Sequence, residues 1–105
     1  MVNVGVEELK EKIDQGAKII ILDVRTPQEL MRGKIENSIN IPLDFFEDNI
    51  DKSVPDKNEN VYLFCLSGSR SLFAAEIMSR KGYKNVFNVT SGMLAWRAKG
   101  YPVIS

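Results

Sequence analysis

Three short apolar runs decide what this chain can become: Lys18 to Val24, Val61 to Cys65 and Asn85 to Val89. None alternates polar with apolar residues in the manner of a strand with one wet face. Runs of this length read as strands buried on both faces, the pattern of a parallel sheet covered by helices. The segments between them carry helical spacing. Val6, Leu9 and Ile13 recur along Val6 to Gln15, which stops at Gly16. Thr26-Pro27-Gln28-Glu29 has the form of a capping box with proline at the first helical position, opening a short helix through Leu30 and Met31. Leu43 to Asp51 is a weaker helical stretch. Ser71 to Lys81 is the strongest, with Leu72, Ala75, Ile77 and Met78 apolar, Arg80 and Lys81 in its last turn and Gly82 beyond it. Ser91 to Lys99 follows, capped by Ser91 and closed by Gly100 ahead of Tyr101-Pro102. Strands alternating with helices define an α/β domain with a largely parallel sheet. At 105 residues, with no repeat, low-complexity tract or linker, one domain over residues 1–105 is expected.

Two of the strands run into chemistry. Ile19-Ile20-Ile21-Leu22 leads to Asp23, and Val61-Tyr62-Leu63-Phe64 leads to Cys65. In open α/β sheets ligands collect outside the carboxyl ends of the strands, so in one parallel sheet Asp23 and Cys65 share that rim. Composition narrows what happens there. The chain has no histidine and one cysteine. That excludes Ser-His-Asp and Cys-His couples, His-ligated zinc, an internal disulfide and a Cys-x-x-Cys redox pair. Carboxylates, arginine and lysine charges and one solitary thiol remain. Fourteen basic residues balance fourteen acidic ones, so no global field favours nucleic acid or an anionic membrane, and the apolar runs are too short to span a bilayer. The start, Met1 to Gly5, lacks the charged and apolar regions of a signal peptide. A cytoplasmic protein with a reduced thiol, and with neither nucleic acid nor membrane as partner, is the expectation.

Cys65-Leu66-Ser67-Gly68-Ser69-Arg70 joins a strand to the best helix of the chain. Small residues let such a loop curl until its N–H groups face one point, where the helix dipole adds partial positive charge. The sulfur of Cys65 belongs at the floor of that bowl, where a thiolate is stabilised and needs no general base. A lone cysteine in an apolar strand is otherwise a small buried hydrophobe. A core cysteine, however, has no reason to be followed by Ser-Gly-Ser-Arg-Ser.

From Cys65 to Ser71 the sequence resembles the active-site loop of the rhodanese-like sulfurtransferases, in the single-domain form Cys-x-x-Gly-x-Arg-Ser. Three further segments resemble family landmarks in the same order. They are Leu22-Asp23-Val24-Arg25-Thr26-Pro27-Gln28-Glu29, Gly33 to Pro42, and Ser91-Gly92-Met93-Leu94-Ala95-Trp96 with Gly100-Tyr101-Pro102-Val103. Lys34 stands for the usual His, Glu36 and Asn37 for Pro-Gly, and Ser91 for the first Gly; these departures concern turn geometry. Leu66 stands where several members carry Arg or Lys, which leaves Arg70 as the loop's only cation.

The resemblance implies an α/β, three-layer domain with a central, mostly parallel five-stranded sheet and helices on both faces. It implies Cys65 as the catalytic nucleophile and Leu66, Ser67, Gly68, Ser69 and Arg70 as the substrate-binding loop. Asp23, Arg25 and Ser71 become structural neighbours of the site, and no metal or cofactor is called for. The implied reaction takes a sulfane sulfur from thiosulfate, polysulfide or a persulfide onto Cys65 and passes it to cyanide or a thiol, a two-step nucleophilic scheme. With no second cysteine the acceptor is external, so the partners implied are small sulfur compounds or a thiol- or persulfide-bearing protein. A monomer or weak homodimer is implied.

Two rivals frame this reading. Dual-specificity phosphatases of the same fold, and arsenate reductases, use a larger loop, whereas Cys-x4-Arg makes a bowl matched to one sulfur rather than a tetrahedral oxyanion. A binding module or sulfur carrier without turnover is the other, because fold alone does not set function. Individual side chains keep two readings each. Arg70 either points at the bound anion or pins the loop through backbone carbonyls. Ser67 and Ser69 either donate to the sulfur anion or cap the following helix. Asp23 ties neighbouring loops together rather than acting beside a thiolate it would oppose. Arg25 is expected to pair with Glu29 in a surface or loop ion pair. Trp96 and Phe87 read as core, and one of the adjacent Phe45 and Phe46 faces outward toward a partner-docking rim.

Overall fold

The sheet forms around the three apolar runs, in a computed structural model that describes residues 1–105. The chain order is β1 (Val2–Val4), α1 (Val6–Asp14), β2 (Ile20–Asp23), α2 (Pro27–Leu30) and β3 (Ile39–Asn40), then a 3-10 turn (Leu43–Phe45), α3 (Phe46–Ser53), β4 (Asn60–Phe64), α4 (Ser69–Arg80), β5 (Asn85–Val89) and α5 (Gly92–Ala98). The five strands lie in the order β1-β5-β4-β2-β3, and every neighbouring pair is parallel. The central three, β5, β4 and β2, are the apolar runs. The two edges, β1 and β3, are three and two residues long.

Alternation along β4 divides the interior into two layers. Val61, Leu63 and Cys65 face one side, where they pack with Phe46 and Ile50 from α3, Val54 just beyond it, and Ala74, Ala75, Ile77 and Met78 from α4. Tyr62 and Phe64 face the other side, against Val6 and Leu9 of α1 and Met93 and Trp96 of α5. The result is helix–sheet–helix, as the resemblance implies. Trp96 is core and its Nε1–H donates to Pro102 O at 2.8 Å, so the buried indole keeps a partner. Phe87 is half-buried and stacks on Tyr62, ring centroids 4.6 Å apart. Of the phenylalanine pair, Phe46 is buried and Phe45 is exposed.

The expected capping box is present: Glu29 N–H donates to Thr26 Oγ1 at 3.3 Å and Thr26 N–H donates to Glu29 Oε1 at 3.0 Å, with Pro27 in the first turn. Ser91 departs from its expected role. It sits at φ 59 and its side chain makes no capping hydrogen bond to α5. The amides it was to satisfy are taken by the cysteine loop instead, as described below. Asn37, standing where the resembled motif has glycine, is likewise left-handed at φ 69; asparagine tolerates that region better than most residues. No helix is long and apolar enough to cross a membrane.

Candidate active site

The register of the sheet sets Asp23 beside Phe64, one residue before Cys65, so both polar strand ends reach the same rim. Cys65 is fully buried there. Its sulfur is surrounded by donors from its own loop and from the start of α4. Gly68 N–H donates to Sγ at 3.0 Å and Ser71 N–H donates to it at 3.4 Å. The first-turn amides of a helix lack intrahelical partners. No side chain caps α4 at its N-terminus, so Ser67 and Ser69 do not play the capping role weighed for them. The sulfur occupies the capping position itself. Gly68 makes the curl possible at φ 106, and a Cβ there would sit 3.1 Å from Ser91 N.

The loop sorts its two kinds of polar group to opposite sides. Its amides face the sulfur, whereas its carbonyls face α5: Met93 N–H donates to Cys65 O at 2.9 Å and Leu94 N–H donates to Leu66 O at 3.1 Å. Gly92 is the contact point between the two segments. A Cβ added to it would fall 2.1 Å from Cys65 O. The loop is thus held from behind by the free amides of one helix while another helix presents its own to the sulfur.

Ser71 extends the site inward. Cys65 Sγ donates to Ser71 Oγ at 3.5 Å, and Ser71 Oγ donates to Asn88 Oδ1 at 2.5 Å; Asn88 Nδ2 donates in turn to Asn3 Oδ1 at 3.0 Å. When the thiol ionises, the hydroxyl of Ser71 can turn its one proton from Asn88 Oδ1 to the sulfur, because a serine hydroxyl is both donor and acceptor. Burial pushes the Cys65 thiol up, but the Ser71 hydroxyl and the amides of Ser71, Gly68 and Ser67 together outweigh it and leave the thiol below its ordinary range. Asn88 had no place in the sequence reading. The available signal was a polar residue inside the apolar run Val86-Phe87-Asn88-Val89, on the same strand face as Val86 and so toward α4.

Asp23 and Arg25 make a fully buried ion pair. Arg25 Nη2 donates to Asp23 Oδ2 at 2.8 Å and Arg25 Nε donates to Asp23 Oδ1 at 3.0 Å, while Nη2 also donates to Gly33 O at 3.0 Å. The guanidinium lies over the Phe64 ring, 5.8 Å from its centroid. Asn40 Nδ2 donates to the carbonyls of Asp23 and Arg25 at 2.9 and 2.8 Å, tying β3 to the same corner. Asp23 therefore joins loops, and the expected Arg25–Glu29 surface pair is corrected. Two residues beyond a strand end, Arg25 folds back over the rim onto Asp23.

Glu29 pairs instead with Arg70. Arg70 Nη1 donates to Glu29 Oε1 at 2.6 Å and Nη2 donates to Oε2 at 2.9 Å, a two-pronged pair about one-third exposed. The Arg70 guanidinium, with help from the Thr26 amide, overcomes burial and holds the Glu29 carboxyl at about 2, and Glu29 in turn raises Arg70. Neither expectation for Arg70 describes this: its charge is compensated by a carboxylate on α2, which straps the loop to that helix. Two cavities flank the strap. One of about 340 Å³ is lined by Gln28, Glu29, Arg32, Leu66 and Arg97. The other, about 130 Å³, is lined by Val24, Thr26, Pro42, Leu43, Asp44 and Arg70. No three His, Cys, Asp or Glu side chains cluster at metal-binding distance.

Together these features define an α/β domain whose cysteine lies among backbone amides at the carboxyl edge of a parallel sheet. The family profile described as Rhodanese-like domain matches residues 5–99. A protein of Allochromatium vinosum named sulfurtransferase is 30% identical over 106 residues, covering 100% of this chain and 97% of its own. The thiosulfate sulfurtransferase PspE of Escherichia coli is 40% identical over 67 residues, 64% of each chain. Among solved structures, a rhodanese-related protein from Thermoplasma volcanium superposes with a TM-score of 0.83 at 34% identity, over 99% of this chain and 98% of that one. The chain belongs to the rhodanese-like domain family. It spans nearly all of the first relative and just under two thirds of the second.

Proposed function

We propose that this protein is a sulfurtransferase that carries sulfane sulfur as a persulfide on Cys65. The observation that carries the proposal is the pair of amides donating to Sγ, from Gly68 N and Ser71 N, with the Ser71 hydroxyl in hydrogen-bond contact beside them, which favours the ionised thiol without a histidine. In the first step the Cys65 thiolate attacks the outer sulfur of a donor. A new S–S bond forms as the bond between that sulfur and the rest of the donor breaks, and the leaving group departs with the electron pair: sulfite from thiosulfate, a thiolate from a persulfide. In the second step cyanide or a thiolate attacks the terminal sulfur, and Cys65 leaves as thiolate, ready for another cycle. The names of the relatives support transfer of sulfur, and PspE supports thiosulfate as a donor to test first.

Cys65 is the nucleophile in this scheme, and Leu66, Ser67, Gly68, Ser69 and Arg70 form the wall that meets the transferred sulfur. Asp23, Arg25 and Ser71 hold the rim in place. Preset amides of this kind stabilise charge without reorganising during reaction. The loop's one cation is compensated by Glu29, so a dianionic donor gains less from it than from a free arginine. The direct test is turnover: the chain is incubated with thiosulfate and cyanide and thiocyanate is followed, with Cys65→Ser as control. Wild-type turnover abolished in Cys65→Ser supports the proposal. Absence of turnover with thiosulfate, polysulfide and persulfide donors alike removes it.

A further inference from the structure

Charge recognition at this site has to come from somewhere other than Arg70. Seven ion pairs are present in the structure, and Arg70 is in one of them, locked on Glu29. Arg32 and Arg97 are in none. Both line the cavity of about 340 Å³, together with Leu66, the residue next to the reactive cysteine. Arg97 does not hang free. Its Nη2 donates to Arg32 O at 2.8 Å, and it lies against Gly33, where an added Cβ would be 3.5 Å from that nitrogen. One end of the guanidinium is thereby fixed, and its other N–H groups remain available. The only carboxylate in the lining, Glu29, is already neutralised by Arg70, so the cavity carries two uncompensated positive charges.

Resting on the sulfurtransferase reading, we infer that Arg32 and Arg97 form a carboxylate subsite beside the cysteine loop, and that the substrates it selects are carboxylate-bearing thiols and their persulfides of about tripeptide size. The geometry separates this class from thiosulfate. In thiosulfate the anionic oxygens sit on the atom bonded to the transferred sulfur, so they stay with that sulfur at the loop. The arginines line a cavity with Leu66 but without Cys65, so an anion held between them is carried on a tail away from the sulfur that reacts. The cavity is also far roomier than one sulfonate requires. An organic thiol lays its tail along Leu66, places its carboxylate between the guanidiniums, and presents its sulfur to the bowl. Planar arginine forks suit carboxylate recognition.

The test measures binding apart from chemistry. S-methylglutathione, which has no free thiol, and its dimethyl ester are titrated into the full chain and followed by amide shifts of Leu66, Arg32 and Arg97. The subsite predicts saturable binding of the acid, roughly tenfold weaker binding of the ester, and loss of that preference in Arg32→Gln and in Arg97→Gln. Arg32 makes no side-chain hydrogen bond or ion pair, so its replacement tests the charge without disturbing the Arg97 anchor. Added salt weakens the acid and leaves the ester unaffected. Equal affinity for acid and ester, or a preference that survives in both variants, overturns the subsite. Intact mass of wild-type protein after exposure to thiosulfate, polysulfide and a low-molecular-weight persulfide in turn reads the underlying reaction separately. Acid-selective binding with no sulfur uptake by Cys65 keeps the subsite and overturns the transfer reading, and sulfur uptake without acid-selective binding does the reverse.

Discussion

Gly92→Ala tests how the cysteine loop is held. The new Cβ falls 2.1 Å from Cys65 O, 2.9 Å from Cys65 C and 2.9 Å from Leu66 O. All three are backbone atoms, so no side chain can rotate away and either the loop or the start of α5 must shift. Forcing extra volume into a packed site costs about 1–3 kcal/mol, and a left-handed alanine costs about 1–2 kcal/mol more than glycine. At φ +37 both apply, giving a loss of roughly 2–5 kcal/mol. Gly16→Ala is the control. It has φ +67 and no heavy atom within 4 Å of the added Cβ, so only the conformational cost, about 1–2 kcal/mol, is expected. Urea unfolding followed by Trp96 fluorescence gives both values. In parallel, the alkylation rate of Cys65 rises in Gly92→Ala if the displaced loop exposes the thiol, and stays at the wild-type value in Gly16→Ala. Equal destabilisation by the two substitutions refutes the interlock between loop and α5.

Three further outcomes follow from the site. Ser71→Ala removes a hydroxyl donor from the sulfur, so the pH midpoint for Cys65 alkylation by iodoacetamide moves up and the rate at neutral pH falls roughly tenfold; superimposable pH profiles would show that Ser71 does not touch the thiolate. Glu29 is held at about 2 against an ordinary 4.5, so its pairing stabilises the fold fully above about pH 4.5 and loses that contribution as pH falls toward 2. The urea midpoints of wild type and Glu29→Gln should therefore differ at neutral pH and converge on acidification, whereas a constant gap contradicts the pairing. Asp23→Ala strands Arg25 in the interior without its counter-charge, at a cost of about 3–5 kcal/mol, and thermal or urea unfolding reads that loss directly. Destabilisation below about 1 kcal/mol, the ordinary value of a surface pair, would mean the pair is not buried as described.

The parts of the fold that the sequence announced are those where one physical cause dominates. β2, β4 and β5 are largely buried on both faces, so β2 and β4 appear as apolar runs and β5 as one interrupted at Asn88. β1 and β3 are edges of three and two residues with mostly exposed or half-buried side chains, and nothing in Val2-Asn3-Val4 or Ile39-Asn40 separates them from loop. They become strands because β5 and β2 offer unpaired edges. The cysteine loop was legible because its composition demands curled backbone before a helix. Its fastening was not. Glu29 and Arg70 are 41 residues apart, and the local spacing of Arg25 and Glu29 pointed to a pair that the buried Asp23 prevents. Ser91 shows a similar competition: its identity and position say cap, but α5 gives its first amides to the carbonyls of Cys65 and Leu66. Long-range hydrogen bonding decided the partners of Glu29 and of the first α5 amides, and the buried Asp23 carboxylate two residues away decided that of Arg25.

Cys65, held among amides in a chain without histidine, is predicted to take up and release one sulfur atom. Intact mass spectrometry of the full chain reads this directly. After incubation with thiosulfate, polysulfide or a low-molecular-weight persulfide, the wild-type protein is predicted to gain the mass of one sulfur. That mass should be lost on adding excess cyanide or thiol, and Cys65→Ser should gain nothing. A chain that gains no sulfur from any of the three donors, or a Cys65→Ser variant that gains as much as wild type, would contradict the account.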